Sequence, residues 1–261
     1  MTRDHPDSMT TAAMEHPAKR LAKIRLDILL VDRGLADSRE KARALILAGK
    51  VTVDGQKSDK PGHSIDAASL VTVLEPMPYV SRGGFKLAAA LDHFAIDVTG
   101  RLCIDVGSST GGFTDCLLQR GAARVWSVDV GRGQLDWKLR NDPRVTVREG
   151  VNARYLSPNE FPEKFQLAVC DASFISTTLL IPSIVPLLTP NGAMVILVKP
   201  QFESERGQVG KGGIVRNPEV HRAACDRVRA CVESFGFRAR IIDSPILGAE
   251  GNREFLLYAD R

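Results

Sequence analysis

The chain lacks any Cys-x-x-Cys pair. Its five cysteines (Cys103, Cys116, Cys170, Cys225 and Cys231) are odd in number and fall mostly in apolar strand or helix patterns. That argues against a disulfide framework and a cysteine metal site, and reads the thiols as small buried hydrophobes in a reducing compartment. The histidines do not cluster with them, so no metal is expected. No stretch approaches the ~18 apolar residues that a membrane helix needs. The start of the chain has Pro6 and Pro17 and no apolar core, so it does not read as a signal peptide. Residues 1–20 read instead as a disordered tail, and the protein as cytoplasmic with no membrane partner. Internal repeats and low-complexity tracts are absent too.

What is present is ordinary for a soluble globular protein: 44% apolar and 25% charged residues in 261, enough for one large domain and a small one. The net charge of +4 is uneven, because residues 19–60 carry 11 Lys/Arg against 6 Asp/Glu. An anionic partner for the N-terminal quarter follows.

Residues 21–75 read as a small α+β unit. A helix begins near Arg25-Leu26-Asp27 and stops near Gly34, and a second runs from Arg39 to Ala48 behind an Asp37 or Ser38 cap. Alternating runs at 50–53 and 69–74 read as strands, with Asp54-Gly55 as a turn. Arg25, Arg39, Lys41, Arg43 and Lys50 make this unit basic, whether as a solvated face or as a grip on phosphates. Residues 76–82, with Pro76 and Pro78, read as a linker.

From residue 83 to 261 strand and helix patterns alternate. The strands fall at 102–106, 124–129, 144–148, 166–170, 193–198, 239–243 and 254–259. The helices fall at 83–94, 112–119, 133–139, 177–188 and 218–235. Such alternation predicts an α/β fold with a mostly parallel sheet, its last two strands antiparallel at an edge.

The first of these strands runs into Asp105-Val106-Gly107-Ser108-Ser109-Thr110-Gly111-Gly112-Phe113. The glycine spacing is wrong for a dinucleotide turn, and no Gly-Lys-Ser/Thr follows for a P-loop. S-adenosylmethionine fits better: it carries an ammonium and a carboxylate and has no pyrophosphate. Asp105, Gly107, Ser108, Ser109, Gly111, Gly112 and Phe113 are the expected cradle. Asp129, 24 residues after Asp105, suits the ribose hydroxyls, and Asn152 the adenine edge. The plain alternative for both aspartates is a strand-end turn carboxylate.

Asp171 ends one apolar strand and Lys199 another, at the sheet end that faces ligands in such folds. Glu254 precedes the last apolar run, and Lys86 lies near the start of the large domain. Taken singly each reads as a structural ion pair. Together the four resemble the Lys-Asp-Lys-Glu tetrad of FtsJ-like ribose 2′-O-methyltransferases. The stretch Arg25–Leu30, the words Ser38–Arg43 and Ile46–Val51, and Val53-Asp54-Gly55 resemble the alpha-L RNA-binding domain of S-four ribosomal type. With Tyr79–Leu87, Cys170–Ser176, Val198–Glu203 and Gly251–Phe255, the chain from about 24 onward resembles the TlyA family of rRNA 2′-O-methyltransferases, some of which carry a hemolysin name.

The resemblance implies a Rossmann-like methyltransferase domain that takes S-adenosylmethionine and acts on a cytidine ribose of ribosomal RNA or ribosomal subunits; the sequence indicates no stable protein partner. It implies Lys199 as the base and Lys86, Asp171 and Glu254 as its tuners, with Asp171 also near the cofactor. A lysine can take a hydroxyl proton only once its ammonium is made more acidic than usual. Burial and a second cation act in that direction, and carboxylates against it. Arg82 joins the expected RNA contacts, and the Gly-rich basic segment 206–216 (Arg206, Lys211, Arg216) reads either as a loop over the site or as plain surface. Two rival readings stand beside this one: a membrane-active hemolysin, and a small-molecule methyltransferase with a vestigial RNA module.

Overall fold

A computed structural model describes residues 23–74, 77–248 and 250–261; the expected tail at 1–20 lies outside them. The chain forms two compact units that divide between Pro76 and Met77.

In the first unit, β1 (Lys23–Arg25) leads directly into α1 (Leu26–Asp32), so the helix starts one residue after the expected Arg25. Ser38 caps α2 (Arg39–Leu47) by accepting from the Lys41 backbone N–H at 3.2 Å. Strands β2 (Val51–Val53) and β3 (Gln56–Lys57) form a hairpin across Asp54-Gly55, both with positive φ, as the Asp-Gly pair allows. β4 (Ser64–Asp66) pairs with β1, and β5 (Val71–Val73) with β2. β1, β3 and β4 are too short and polar to show a sequence period. Leu26, Leu29, Leu30, Ala42, Ile46, Val51 and Ile65 form the core of this unit.

The second unit holds α3 (Gly83–His93), β6 (Leu102–Val106), α4 (Gly112–Gln119), β7 (Arg124–Asp129), α5 (Trp137–Arg140) and β8 (Val145–Glu149). Then follow β9 (Phe165–Cys170), α6 (Ile181–Ile184), β10 (Leu188–Val198), α7 (Pro200–Glu203), α8 (Pro218–Glu233), β11 (Arg238–Asp243) and β12 (Phe255–Asp260). The seven strands lie in the order β11-β12-β10-β9-β6-β7-β8. β6 to β10 are parallel, and β12 inserts antiparallel between β10 and β11. Along β6, Leu102, Ile104 and Val106 face one helical layer while Cys103 faces the other. That alternation lets helices cover both faces, and makes the central strands read as unbroken apolar runs.

The helix expected at 133–139 is confined to α5. Gly133 takes a positive φ and Asp136 caps at 2.8 Å from the Lys138 N–H, so the chain turns before it coils. Pro182 and Pro186 break the stretch expected at 177–188 into short turns around α6. Pro78–Val80, expected in a linker, are fixed to α4. The Val80 N–H donates to Asp115 at 2.8 Å, and Gln119 donates to the Pro78 carbonyl at 2.7 Å. The cysteines are free and mostly buried, and burial pushes the Cys103 thiol up to about 12.

Candidate active site at the carboxyl rim of the sheet

The chain reverses its winding between β6 and β9, where a crevice opens at the strand ends. The glycine turn lies there because its backbone leaves no choice. Gly107 has φ +82°, and a Cβ on it would meet the Asp171 carbonyl oxygen at 2.9 Å. Gly111 has φ +95°, and a Cβ there would strike Leu139 at 2.3 Å. Gly112 and Gly84 bring α4 and α3 together, since a Cβ on Gly112 would lie 2.9 Å from the Gly84 nitrogen. This close crossing sets the position of Lys86, two residues farther along α3.

A cavity of about 440 Å³ opens beside the turn. Val128, Val151, Ile175 and Leu180 give it apolar walls, and Asp129, Asn152 and Asp171 give it polar ones. A recess of about 100 Å³, lined by Ser81, Ser108, Gly112 and Phe113, shares Gly107, Ser109 and Asp171 with it. Of the expected cradle, Gly107, Ser108, Ser109, Gly112 and Phe113 line these two spaces, and Asp105 and Gly111 do not.

Asp105 is fully buried beneath α4 and lines neither space. One of its oxygens accepts from the Thr114 hydroxyl at 2.7 Å, and that hydroxyl also meets Ser127 at 2.7 Å. Its other oxygen has no hydrogen-bond partner among the described residues. Burial pushes this carboxyl up to about 7; the Thr114 hydrogen bond opposes that, and the Asp171 and Asp129 charges add to it. Asp129 accepts from the Ser109 and Gly131 N–H groups, each at 2.7 Å, and so fastens the glycine turn to β7 while facing the cavity. Asn152 is exposed on the cavity wall and accepts from the Arg154 N–H at 3.1 Å.

Two buried ammonium groups occupy the same rim. Lys199 lies 2.6 Å from Asp171 and donates to the Ser173 hydroxyl at 2.8 Å. Lys86 donates to Glu254 at 2.5 Å. The β10–β12 register ends at Val198 opposite Phe255, which brings Lys199 and Glu254 to the same end of neighbouring strands. Each lysine thus has a carboxylate of its own, and Asp171 joins the Lys199 pair to the cavity wall.

Sequence reasoning gave no role to several neighbours. Phe174 is 91% exposed with φ +66°, an uncommon backbone for a bulky residue, and its ring lies 5.3 Å from that of Phe202. Its one sequence signal is an aromatic in a polar loop just after a strand-end aspartate. Ser173 and Glu203 are polar residues whose contacts come only from tertiary structure. The segment 206–216 forms two 3-10 turns, and buried Asn252 fixes its far end. Asn252 accepts from the Val215 N–H and donates to the Gly213 carbonyl, both at 2.9 Å. Arg82 is exposed and donates to the Leu247 carbonyl.

Within the first unit, Arg25 and Arg39 converge on buried Asp27, at 2.9 Å and 3.0 Å. The Arg25 hydrogen bond holds that carboxyl down at about 2 against its burial, and Arg39 adds to the effect. Lys41 pairs with Asp37 at 2.5 Å, Arg43 is exposed and Lys50 is half-buried.

Residues 79–261 match the FtsJ-like methyltransferase family model, and residues 24–71 match the S4 domain. Over 239 residues the chain is 45% identical to the 16S/23S rRNA (cytidine-2′-O)-methyltransferase TlyA of Mycobacterium tuberculosis, covering 90% of this chain and 89% of that one. It is 42% identical to hemolysin A of Brachyspira hyodysenteriae, covering 90% and 99%. A solved structure of a candidate hemolysin from Streptococcus thermophilus superposes with a TM-score of 0.71 at 43% identity, covering 92% of this chain and 89% of that one.

Proposed function

This chain belongs to the FtsJ-like methyltransferase family, and from that premise we propose that it transfers a methyl group from S-adenosylmethionine to the ribose 2′-OH of a cytidine in ribosomal RNA. The name of the Mycobacterium tuberculosis relative supports the substrate, and the S4 match supports RNA as its carrier. The observation that carries the reading is the Lys199–Asp171 pair, 2.6 Å apart, with Asp171 on the cavity wall.

The residues present fit the cofactor. The apolar walls suit a purine, and Asp129 keeps lone pairs free for ribose hydroxyls after its two backbone bonds. The Asn152 side-chain amide can meet the adenine edge. Asp105 contributes through the field of a buried carboxyl with one unpartnered oxygen, which favours a cation above the turn. When bound, S-adenosylmethionine supplies a sulfonium methyl that a ribose oxygen can attack.

Lys199, in its neutral form, takes the 2′-OH proton as that oxygen attacks. Asp171 and Ser173 fix the direction of its nitrogen. Lys86 adds a second positive charge at the rim, and Glu254 holds it in place. The four act as the Lys-Asp-Lys-Glu tetrad. Phe174 offers an exposed face on which an unstacked base can lie. The basic first unit holds the RNA by its phosphates.

Ribose-methylation mapping of rRNA from cells with and without this protein tests the reading. At least one cytidine 2′-O-methyl should be lost with the gene and return with it; identical maps would sink it. Among the described residues no helix is long and apolar enough to cross a membrane, and the hemolysin names belong to the relatives.

A further inference from the structure

We propose that Glu203 is a positioning residue of this site, resting on the methyl-transfer reading above: its buried carboxylate holds the loop after β9 in the register that aims Lys199 and Phe174. Glu203 is 2% exposed, yet no lysine or arginine side chain pairs with its carboxylate among the described residues. An uncompensated buried carboxylate is an expensive group, retained only where donors hold it. Here the donors come from one short turn. One oxygen accepts from the Thr177 N–H at 2.7 Å and the Thr177 hydroxyl at 2.8 Å. The other accepts from the Ser176 hydroxyl at 2.5 Å. Behind it, the Glu203 carbonyl accepts from Arg227 of α8, which anchors the residue to the body of the fold.

These bonds are one end of a cross-linked ladder. Residues 171–177 and 199–203 run beside each other and meet at successive levels. Lys199 meets Asp171 and Ser173, Phe202 packs on Phe174, and Glu203 receives Ser176 and Thr177. The upper two levels carry the proposed chemistry. Apart from buried Lys199 their residues are exposed or half-buried, and Phe174 sits at a positive φ that a free loop would leave. The lowest level is buried and polar, so its geometry is fixed by three directed hydrogen bonds. Releasing it frees the loop to slide relative to α7, while the cofactor turn, built on Gly107 to Gly112 and Asp129, keeps its own fastenings.

The test compares Glu203→Ala, Glu203→Gln and Thr177→Val in the full-length protein, with single-turnover methyl transfer to rRNA measured across pH and binding of S-adenosylmethionine measured separately. Glu203→Ala should slow transfer by about tenfold or more at saturation, since a base displaced by about an ångström loses that much. It should also shift the pH–rate profile and leave cofactor affinity within about twofold, the scale of a site that keeps its own contacts. Glu203→Gln still accepts both Thr177 bonds, so it should restore most of the rate and the wild-type profile. Thr177→Val removes one bond from the other side and keeps the question open should Glu203→Ala fail to fold; it should give a smaller loss of the same kind. Transfer and cofactor binding falling together, with an unchanged pH profile, would overturn the proposal, as would wild-type rates in Glu203→Ala. Wild-type protein that methylates no RNA would instead overturn the functional reading beneath it.

Discussion

Asp105 places a carboxyl where solvent cannot reach it, and its ionisation has a sign that can be worked out. Its value of about 7 lies above the ~3.9 of an unfolded aspartate, so between these values the native state binds more protons than the unfolded one. Stability should therefore fall as pH rises from about 4 to about 7, and stay lowered above that. Asp105→Asn keeps an acceptor for Thr114 and removes the charge. Thermal unfolding should show it near wild type at pH 4 and more stable at pH 8; an equal difference at both pH values would contradict this origin. Asp105 also marks a limit of sequence reasoning at this scale. Its place at a strand end before a glycine turn was legible, but its burial under α4 depends on Thr114 of that helix, whose hydroxyl reaches it and is itself met by Ser127 of β7. Asp171 and Lys199 stood out in the sequence because a charge that closes an apolar strand has few cheap explanations, whereas Lys86 and Glu254 were grouped with them only by the family resemblance. Ser173 and Glu203 were not, because short polar residues in loops are common and only the folded contacts distinguish these two.

Among the elements, the glycine turn carries the most constraint. Gly107→Ala adds a Cβ against the Asp171 backbone at a positive φ and should cost about 2–4 kcal/mol. Gly133→Ala has a positive φ but nothing within 4 Å, so it should cost only about 1 kcal/mol. Denaturant unfolding of the two variants checks the difference, and equal losses would mean that close approach to Asp171 does not fix this glycine. The same turn shows why elements were legible where they were. Strands β6, β7, β9, β10 and β12 announce themselves as apolar runs ending in polar residues, and the antiparallel edge followed from the lack of a helix between the last two. The helix expected at 133–139 failed because Gly133 and the Asp136 cap delay coiling, a decision taken by three or four residues that an apolar period does not register.

At the scale of the whole molecule, two units with different tasks share one chain. In the proposed reading the first supplies cations to the RNA, and the second a cavity with Lys199 as the base at its edge. Replacing Arg43 and Lys50 by alanine should weaken rRNA binding, and should reduce the slope of log affinity against log salt by about 1.4–1.8 for two lost phosphate contacts. The KM for rRNA should rise while the rate at saturation holds. An unchanged KM would favour a small-molecule substrate and an idle first unit. The division into units was legible from the charge asymmetry and the proline pair near residue 76. The attachment of residues 78–80 to α4 was not, since it rests on Asp115 and Gln119 reaching back across the chain.

The central claim, that a lysine at the end of β10 performs the proton transfer beside a separately built cofactor pocket, is tested most directly by Lys199→Ala. Purified protein should be assayed for labelled methyl transfer to rRNA and, in parallel, for S-adenosylmethionine affinity. Transfer should fall by about 10²-fold or more, as for loss of a positioned base, while cofactor affinity changes by less than about threefold. Transfer that persists, or a cofactor affinity that collapses along with it, would contradict the account and make Lys199 a structural ion-pair partner of Asp171.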